Sequence, residues 1–193
     1  MSIVENDKWG LIELKKDPLY KRLTELQKNK IIDEAILLGN EFAKKALALF
    51  GQPVDFYEIK SIIKNLGGRV VIYENAYPPR YLAEYDEIEK TVTLYRMNIE
   101  NVAMRLGADS PILKGYDLIS LCAAHELFHH LDNEKWQGSS KGISIEITFF
   151  KILKRKCYPR SAREIAAHAF VKKFLNLDIS PALLESALLE SHL

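Results

Sequence analysis

One short run of the sequence, A-A-H-E-L-F-H-H-L-D at positions 123–132, constrains the fold more than any other feature. Its apolar residues recur with the period of an α-helix, so we predict a helix from Tyr116 to about Leu131. Residues four positions apart share one face of a helix, and His125 and His129 can therefore direct both rings at one point. Because two unpartnered imidazoles would be costly to bury, this pair predicts a common ligand.

The chemistry of this run indicates a metal-dependent hydrolase. Neutral imidazole is a good zinc ligand, so His125 and His129 would supply half of a tetrahedral site. Glu126 lies one position further round the helix, where its carboxylate can act as a base on a water molecule held at the metal. Cys122 is interpreted as a small buried residue. His130 is interpreted as a partly exposed residue or as a hydrogen-bond partner of Glu126.

Length and composition indicate one ordinary globular domain. The chain has 193 residues, of which 48% are apolar, and we predict a single domain over residues 18–193 after a poorly ordered arm over residues 1–17. A net charge of +1 favours neither nucleic acid nor an anionic membrane as a partner. The chain has only two cysteines, which favours a reduced environment, and we recognise neither an apolar leader nor an apolar run of membrane-spanning length. We therefore predict a cytoplasmic protein.

Hydrophobic periodicity predicts helices and a few strands before the histidine helix. They are a helical stretch over 19–50 in one piece or two, a short helix capped by Asp55, a strand over 69–73, an antiparallel hairpin of strands 81–86 and 91–95, and a helix over 99–106 capped by Asn98. Strand 91–95 is predicted to be a sheet edge, either a plain structural edge or one to which an extended substrate adds beside the metal.

The C-terminal third predicts a connector and two further helices. We predict a flexible connector over residues 137–142 and an extended or mixed segment over residues 143–157. The basic end of the second segment could bind an acidic partner, but it is more typical of a solvated connector. Ser161 and Glu164 have the spacing of a capping box at the start of a helix that runs to Leu175. Ser180 and Pro181 begin a short terminal helix.

The identity of a third metal ligand is narrowed by what the sequence lacks. The pattern H-E-x-x-H-x-x-G-x-x-H is excluded, because Asp132 and Lys135 stand where it needs glycine and histidine. The other common arrangement takes a glutamate from a later helix, and the segment A-R-E-I-A-A-H-A-F offers Glu164. Glu164 can cap its helix or bind metal, and His168, four positions on, shares its face.

Together, H-E-L-F-H-H-L and E-I-A-A-H-A-F resemble the two motifs of the ImmA/IrrE family of zinc metallopeptidases, and the resemblance covers about residues 40–178. It implies a zincin-like α+β fold, in which a small, mostly antiparallel sheet packs against helices that include the H-E-x-x-H helix. It also implies that His125, His129 and Glu164 hold Zn²⁺ and that Glu126 is the catalytic base.

The second motif departs from the family pattern, E-x-x-A-[ND]-x-F-A, at two positions. His168 stands where the family has Asn or Asp, and Val171 where it has a small residue. His168 is therefore a candidate to orient a zinc ligand through a hydrogen bond, or to approach the metal itself. Tyr95, His130 and Tyr158 are candidates to donate a hydrogen bond to the tetrahedral intermediate.

The resemblance implies cleavage of a peptide bond in a protein substrate, such as a DNA-binding repressor or transcription factor of a mobile element or stress regulon. No helix-turn-helix is recognised, so direct binding of nucleic acid is not expected. Two alternatives stay open: a non-catalytic, metal-containing protein that regulates a repressor by association, and a hydrolase of a non-peptide amide. His168 favours the first alternative, whereas the intact Glu126 favours an enzyme.

Overall fold

The computed structural model has a mixed α+β fold and describes residues 3–75, 81–106, 116–149, 152–178 and 180–182. The helices are α1 (Ile3–Lys15), α2 (Glu25–Phe50), α3 (Phe56–Asn65), α4 (Arg96–Leu106), α5 (Leu118–Glu134) and α6 (Ser161–Phe174). The strands are β1 (Arg69–Tyr73), β2 (Ala83–Asp86), β3 (Thr91–Tyr95), β4 (Ile145–Phe149) and β5 (Leu153–Cys157). Short 3-10 helices span Tyr20–Arg22 and Ser139–Gly142.

Local capping explains where the first long helix begins and ends. Thr24 and Gln27 form a reciprocal capping box, so α2 starts after Thr24 and runs in one piece to Phe50. It stops at Gly51, whose φ of 77° is accessible to glycine and strained for other residues. Asp55 caps α3 as predicted, by accepting a hydrogen bond from the Glu58 N–H at 3.0 Å.

Residues 3–17 do not form the poorly ordered arm that the sequence predicted. They contain helix α1, whose Trp9 and Leu14 are 1% and 0% exposed and belong to the main hydrophobic core. Helix α1 lies so close to α2 that a Cβ at Gly10 would be 2.7 Å from Cγ2 of Ile32. The prediction failed because a few apolar residues among many charged ones give a weak periodic signal.

The main sheet has three strands in the order β1–β3–β2. Strands β2 and β3 form the predicted antiparallel hairpin, whereas β1 pairs with β3 in parallel, so the sheet is mixed. Strand β3 is the central strand, and the prediction that it is an exposed edge open to substrate is therefore wrong. Its position between two partners also explains why Val92 and Leu94 are 0% exposed.

Strands β4 and β5 form a second, two-stranded antiparallel sheet, in which Ile145 lies opposite Cys157. Ile145 and Ile147 of β4 are buried. The predicted flexible connector before β4 contains a 3-10 helix instead, because the buried Asp132 carboxylate accepts hydrogen bonds from the backbone N–H and the hydroxyl of Ser140.

Close packing of α6 against α2 sets the position of the C-terminal helix. A Cβ at Gly39 would lie 2.1 Å from the Ala166 carbonyl oxygen and 2.9 Å from the Ala169 Cβ, so a larger residue cannot fit without displacing α6. Helix α5 contacts β2 and β3 as well as α6, and so lies between the main sheet and α6. The candidate site forms where α5 meets the first turn of α6.

Several remaining predictions concern the ends of elements. Helix α4 begins at Arg96, so Asn98 does not cap it and instead donates a side-chain hydrogen bond to the Tyr81 carbonyl at 2.8 Å. Ser180 Oγ accepts a hydrogen bond from the Ala182 N–H at 3.3 Å, as expected of a cap. The rest of the predicted terminal helix, beyond residue 182, lies outside the described residues. Within the described part of the chain, each helix is too short or too polar to cross a membrane.

Candidate metal centre

Helix α5 presents the H-E-x-x-H motif from the middle of a well-capped helix. Asp117 caps it by accepting a hydrogen bond from the Ser120 N–H at 2.9 Å. The apolar side chains around the motif anchor the helix in the core, among them the fully buried Ala124, Leu127, Phe128 and Leu131. The side chains of His125 and His129 are 17% and 8% exposed, and both rings turn toward α6.

Glu164, in the first turn of α6, meets the two histidines. Its Oε2 lies 3.1 Å from Nε2 of His125 and 3.6 Å from Nε2 of His129, and the two Nε2 atoms are 3.2 Å apart. The structure thus brings together the three residues that the sequence predicted as ligands.

Hydrogen bonds alone do not account for this triangle of atoms. The Nε2 of His125 carries at most one proton, which would have to be divided between Glu164 and His129, and two protonated Nε2 atoms 3.2 Å apart would repel each other. Zinc–ligand distances of about 2.0–2.2 Å in a tetrahedron separate the ligand atoms by roughly 3.3–3.5 Å. The measured separations are close to that range, so the donor set fits a small tetrahedral cation such as zinc.

Glu164 is available to face the histidines because another carboxylate caps its helix. Oδ2 of Asp17 accepts hydrogen bonds from the backbone N–H and the hydroxyl of Ser161, at 3.0 and 3.1 Å, across 144 positions of sequence. The residue at the cap position is Arg160, whose side chain makes no capping hydrogen bond. The predicted capping box of Ser161 and Glu164 is therefore wrong.

The two carboxyl groups of the site have pKa values displaced in opposite directions. Burial raises the pKa of Glu126, which is 6% exposed, although the charges of His125 and His129 oppose the rise. Burial acts in the same direction on Glu164, but attraction to His129 and the contact with His125 hold its pKa well below the ordinary value. Glu164 is therefore held as a carboxylate, whereas Glu126 takes up a proton more readily than an ordinary glutamate.

His168 lies beside His125 and outside the group of three ligand atoms. The rings of His125 and His168 meet edge to face with centroids 4.9 Å apart, and His168 is 3% exposed. Trp9 of α1 contacts His168 in the same manner at 6.2 Å. His168 thus supports the His125 ring by packing and connects it to α1.

Packing also orients His129. Its Nδ1 is buried and has no hydrogen-bond partner among the described residues, whereas a metal-binding histidine usually donates from its second nitrogen. The Phe128 ring contacts the His129 ring edge to face, with centroids 5.4 Å apart. The direction of this ring is therefore fixed by its apolar neighbours.

His130 joins α5 to the main sheet, contrary to both sequence interpretations. It is 0% exposed, and its Nδ1 lies 3.0 Å from the hydroxyl of Tyr85 on β2. Burial raises the pKa of Tyr85 to about 12, so this hydroxyl stays protonated and can donate to Nδ1. A Cβ at Gly68 would lie 3.0 Å from the His130 ring, which leaves room for glycine alone. The His130 ring has no exposed surface in this conformation, and its role as an oxyanion donor stays a prediction.

The other two candidate donors have different surroundings. Tyr95 is 3% exposed and donates its hydroxyl proton to Glu84 of β2. Tyr158 is 52% exposed, and the Lys156 Nζ lies 5.5 Å from its ring centroid. Their roles as donors to a reaction intermediate stay predictions.

A network of ion pairs that the sequence did not reveal fixes the first turn of α6. Nη1 of Arg163 and Nζ of Lys141 each lie 2.7 Å from a carboxylate oxygen of Glu87, in the turn between β2 and β3. Nε of Arg163 is 4.0 Å from the buried carboxylate of Asp132 on α5. Because Arg163 directly precedes Glu164, these contacts position Glu164 against α5. Because the paired residues are far apart in sequence, no short-range pattern of residues predicts these ion pairs.

Comparisons of the chain with models of known protein families, with curated proteins and with solved structures found no match. What the centre can do is therefore inferred from its own residues: two imidazoles and a carboxylate that converge, with a buried carboxyl group next to them in sequence.

Proposed function

We propose that the protein is a zinc-dependent metallopeptidase with a zincin-like fold, which cleaves a peptide bond of a protein substrate in the cytoplasm. The observation that carries the proposal is the triangle of His125, His129 and Glu164 with Glu126 buried beside it. The resemblance of the two motifs to the ImmA/IrrE family supports it and suggests a repressor or transcription factor as the substrate.

In this proposal the ligands and the base have separate tasks. His125, His129 and Glu164 hold the zinc ion, which when bound acidifies a water molecule and polarises the scissile carbonyl. Glu126 takes the proton from the attacking water and delivers it to the departing amine. The raised pKa of Glu126 suits this exchange, because a base of higher proton affinity accepts the proton more readily.

Solvent exposure indicates the side from which a substrate approaches. The Glu164 side chain is 40% exposed, His125 is 17% exposed and His129 is 8% exposed. The solvent exposure of these side chains therefore increases from α5 toward the first turn of α6. We expect the scissile bond to enter from the Glu164 side. The bound substrate would displace water there, while the core continues to cover the other side of the proposed base and ligands.

The test is cleavage of a complex peptide mixture by the zinc-loaded protein, with the new termini identified by mass spectrometry. The parent should produce a reproducible set of cuts, and Glu126→Gln should cut about 10²–10⁴-fold more slowly while binding the same amount of zinc. Glu134→Gln is the matched control, because Glu134 lies on the same helix and pairs with Lys90 instead. It should cut like the parent.

Two results would contradict the proposal. Equal cleavage by the parent and Glu126→Gln would exclude Glu126 as the base. Zinc binding by the parent without any cleavage, including of a candidate repressor, would leave the non-catalytic binding protein as the better description.

A further inference from the structure

Strand β5 is an exposed strand with a free edge. All four residues over 153–156 are exposed, although Ile147, opposite Arg155, is buried. Strand β4 is tied on its other side to the first turn of α2, where the Gln27 side-chain amide donates to the Glu146 carbonyl at 2.7 Å. Within the described residues this sheet has two strands, so it can be extended at β5.

Positive charge is concentrated on β5 and in the residues that follow it. Lys154, Arg155, Lys156 and Arg160 are exposed, and none of them has an acidic partner among the described residues. Lys90, Lys141 and Arg163, by contrast, are each paired with a glutamate. The whole chain has a net charge of only +1, so this excess of charge is local.

A groove adjoins the outer face of the β4–β5 sheet. Its volume is about 640 Å³, and its lysines come from two elements, Lys30 from α2 and Lys154 and Lys156 from β5. Glu146 and Thr148, the cross-strand neighbours of these two β5 lysines, line the same groove. The positive charge therefore continues from the strand into a concavity large enough for side chains of a bound segment.

We propose that β5 and this groove form a docking site for an acidic, extended segment of a partner protein, which adds to β5 as a third strand. An unpaired edge offers backbone donors and acceptors that another strand can satisfy. Lysines on an edge strand discourage pairing with a second copy of the same strand, because like charges would lie side by side. An acidic strand meets no such repulsion and places carboxylates beside Lys154 and Lys156.

A peptide fits this surface better than a nucleic acid. Ile152 and Leu153 are 88% and 46% exposed at the end of the hairpin, and an apolar side chain of a peptide can cover them. Phosphates would neutralise the lysines but would leave the backbone edge of β5 unpaired. The proposal requires neither zinc nor peptidase activity.

The test uses a fluorescent ten-residue peptide that alternates glutamate and valine, with binding followed by anisotropy at low and moderate salt. Lys154→Glu combined with Lys156→Glu should weaken binding by about tenfold or more, since two attractive contacts become repulsive. Lys44→Glu combined with Lys64→Glu is the matched control, because both lysines are exposed on helices elsewhere, and it should stay within about twofold. Glu126→Gln should bind like the parent, which separates this site from the proposed peptidase.

A second peptide tests the strand addition itself. Replacement of its valines by proline keeps the charge, removes the N–H of every second residue and fixes φ near about −65° there, which is incompatible with an added strand, so binding should be lost. Three results would overturn the proposal. They are equal binding of the proline peptide, an equal effect of the two double variants, and tighter binding of a single-stranded oligonucleotide of the same charge. Circular dichroism of the variants checks that their helices are intact.

Discussion

Helices α5 and α6 each supply part of the candidate metal centre, but they are held in place in different ways. Helix α5 carries two proposed ligands and the proposed base within five residues, and its own Asp117 caps it. Helix α6 carries one proposed ligand, and its cap comes from Asp17, 144 positions away. Its first turn is further fixed by Arg163 and its middle by contact with Gly39.

This difference shows which part of the centre is local and which is not. The spacing of His125 and His129 follows from helix geometry and survives small shifts of α5 as a whole. The distance from Glu164 to the histidines depends on contacts with α1, α2 and the β2–β3 turn. Changes far from the site should therefore weaken metal binding through α6, whereas α5 responds to changes in its own motif.

The largest effect is expected from the local motif. His129→Ala should lose most of the bound zinc, because two ligands seldom retain the ion, and elemental analysis of purified protein measures the loss. The matched control is His130→Gln, which removes a neighbouring imidazole but keeps a side chain that can bond to Tyr85. It should keep its zinc. Full zinc content in His129→Ala would show that the ligand assignment is wrong.

A distant change should reach the site through α6. Gly39→Ala places a methyl group 2.1 Å from the Ala166 carbonyl oxygen and should lower the free energy of unfolding by about 3 kcal/mol. It should also weaken zinc binding, because α6 must move. Gly142→Ala has nothing within 4 Å of the new Cβ and should change stability by less than about 0.5 kcal/mol. Urea unfolding and chelator competition measure both effects; unchanged zinc affinity in Gly39→Ala would show that Glu164 does not depend on this contact.

His168 provides an intermediate case, because it lies on α6 but contacts a ligand of α5. His168→Ala should lose zinc affinity by about 10- to 100-fold, and His168→Asn should recover most of it. Titration against a competing chelator separates the variants. A loss as complete as that of His129→Ala would point to direct binding of zinc by His168, and no loss would restrict the residue to core packing.

The smallest effect concerns the ion pairs that hold the first turn of α6. The hydrogen bond from Lys141, opposed by burial and aided by Arg163, lowers the pKa of Glu87 below its ordinary value of 4.5. Because the pKa of Glu87 is lower in the folded than in the unfolded protein, its charge adds to the free energy of unfolding at any pH above the ordinary pKa. That contribution is lost as the pH falls through the lowered, folded-state pKa. Since the Glu87 side chain is 35% exposed, Glu87→Gln should cost at most about 1 kcal/mol near pH 7.

The pH dependence gives this small effect a signature. Parent and Glu87→Gln should approach equal stability as the pH falls through the lowered pKa of Glu87, because the parent carboxylate is then protonated too. Thermal unfolding at several pH values would measure the convergence. A difference that stays constant with pH would mean that Glu87 acts through packing rather than charge.

Short-range patterns predicted much of the fold correctly. Strand β1, the β2–β3 hairpin, the Asp55 cap and the histidine helix all follow from periodicity and local hydrogen bonding. Helix geometry also pairs His125 with His129, whereas the choice of Glu164 as the third residue of the group rests on the resemblance of the second motif to the ImmA/IrrE family. These features are encoded within a few residues each, or within motifs of fixed spacing.

The errors share one physical cause, which is contact between remote parts of the chain. Helix α1 was missed because burial of Trp9 against α6 is not visible in its own polar sequence. Strand β3 was predicted as an edge because the parallel pairing with β1 is a tertiary choice. His130 was taken for a surface residue, although Tyr85 and Gly68 enclose it.

The sequence by itself determined that two imidazoles and a carboxyl group share one helix, because the period of the α-helix fixes their directions whatever surrounds them. Only the tertiary structure decided that Glu164 faces them. That outcome requires Asp17 to cap α6 in place of Glu164, and Gly39 to let α6 approach α2. Such contacts depend on how whole elements pack, and no local pattern of residues specifies them.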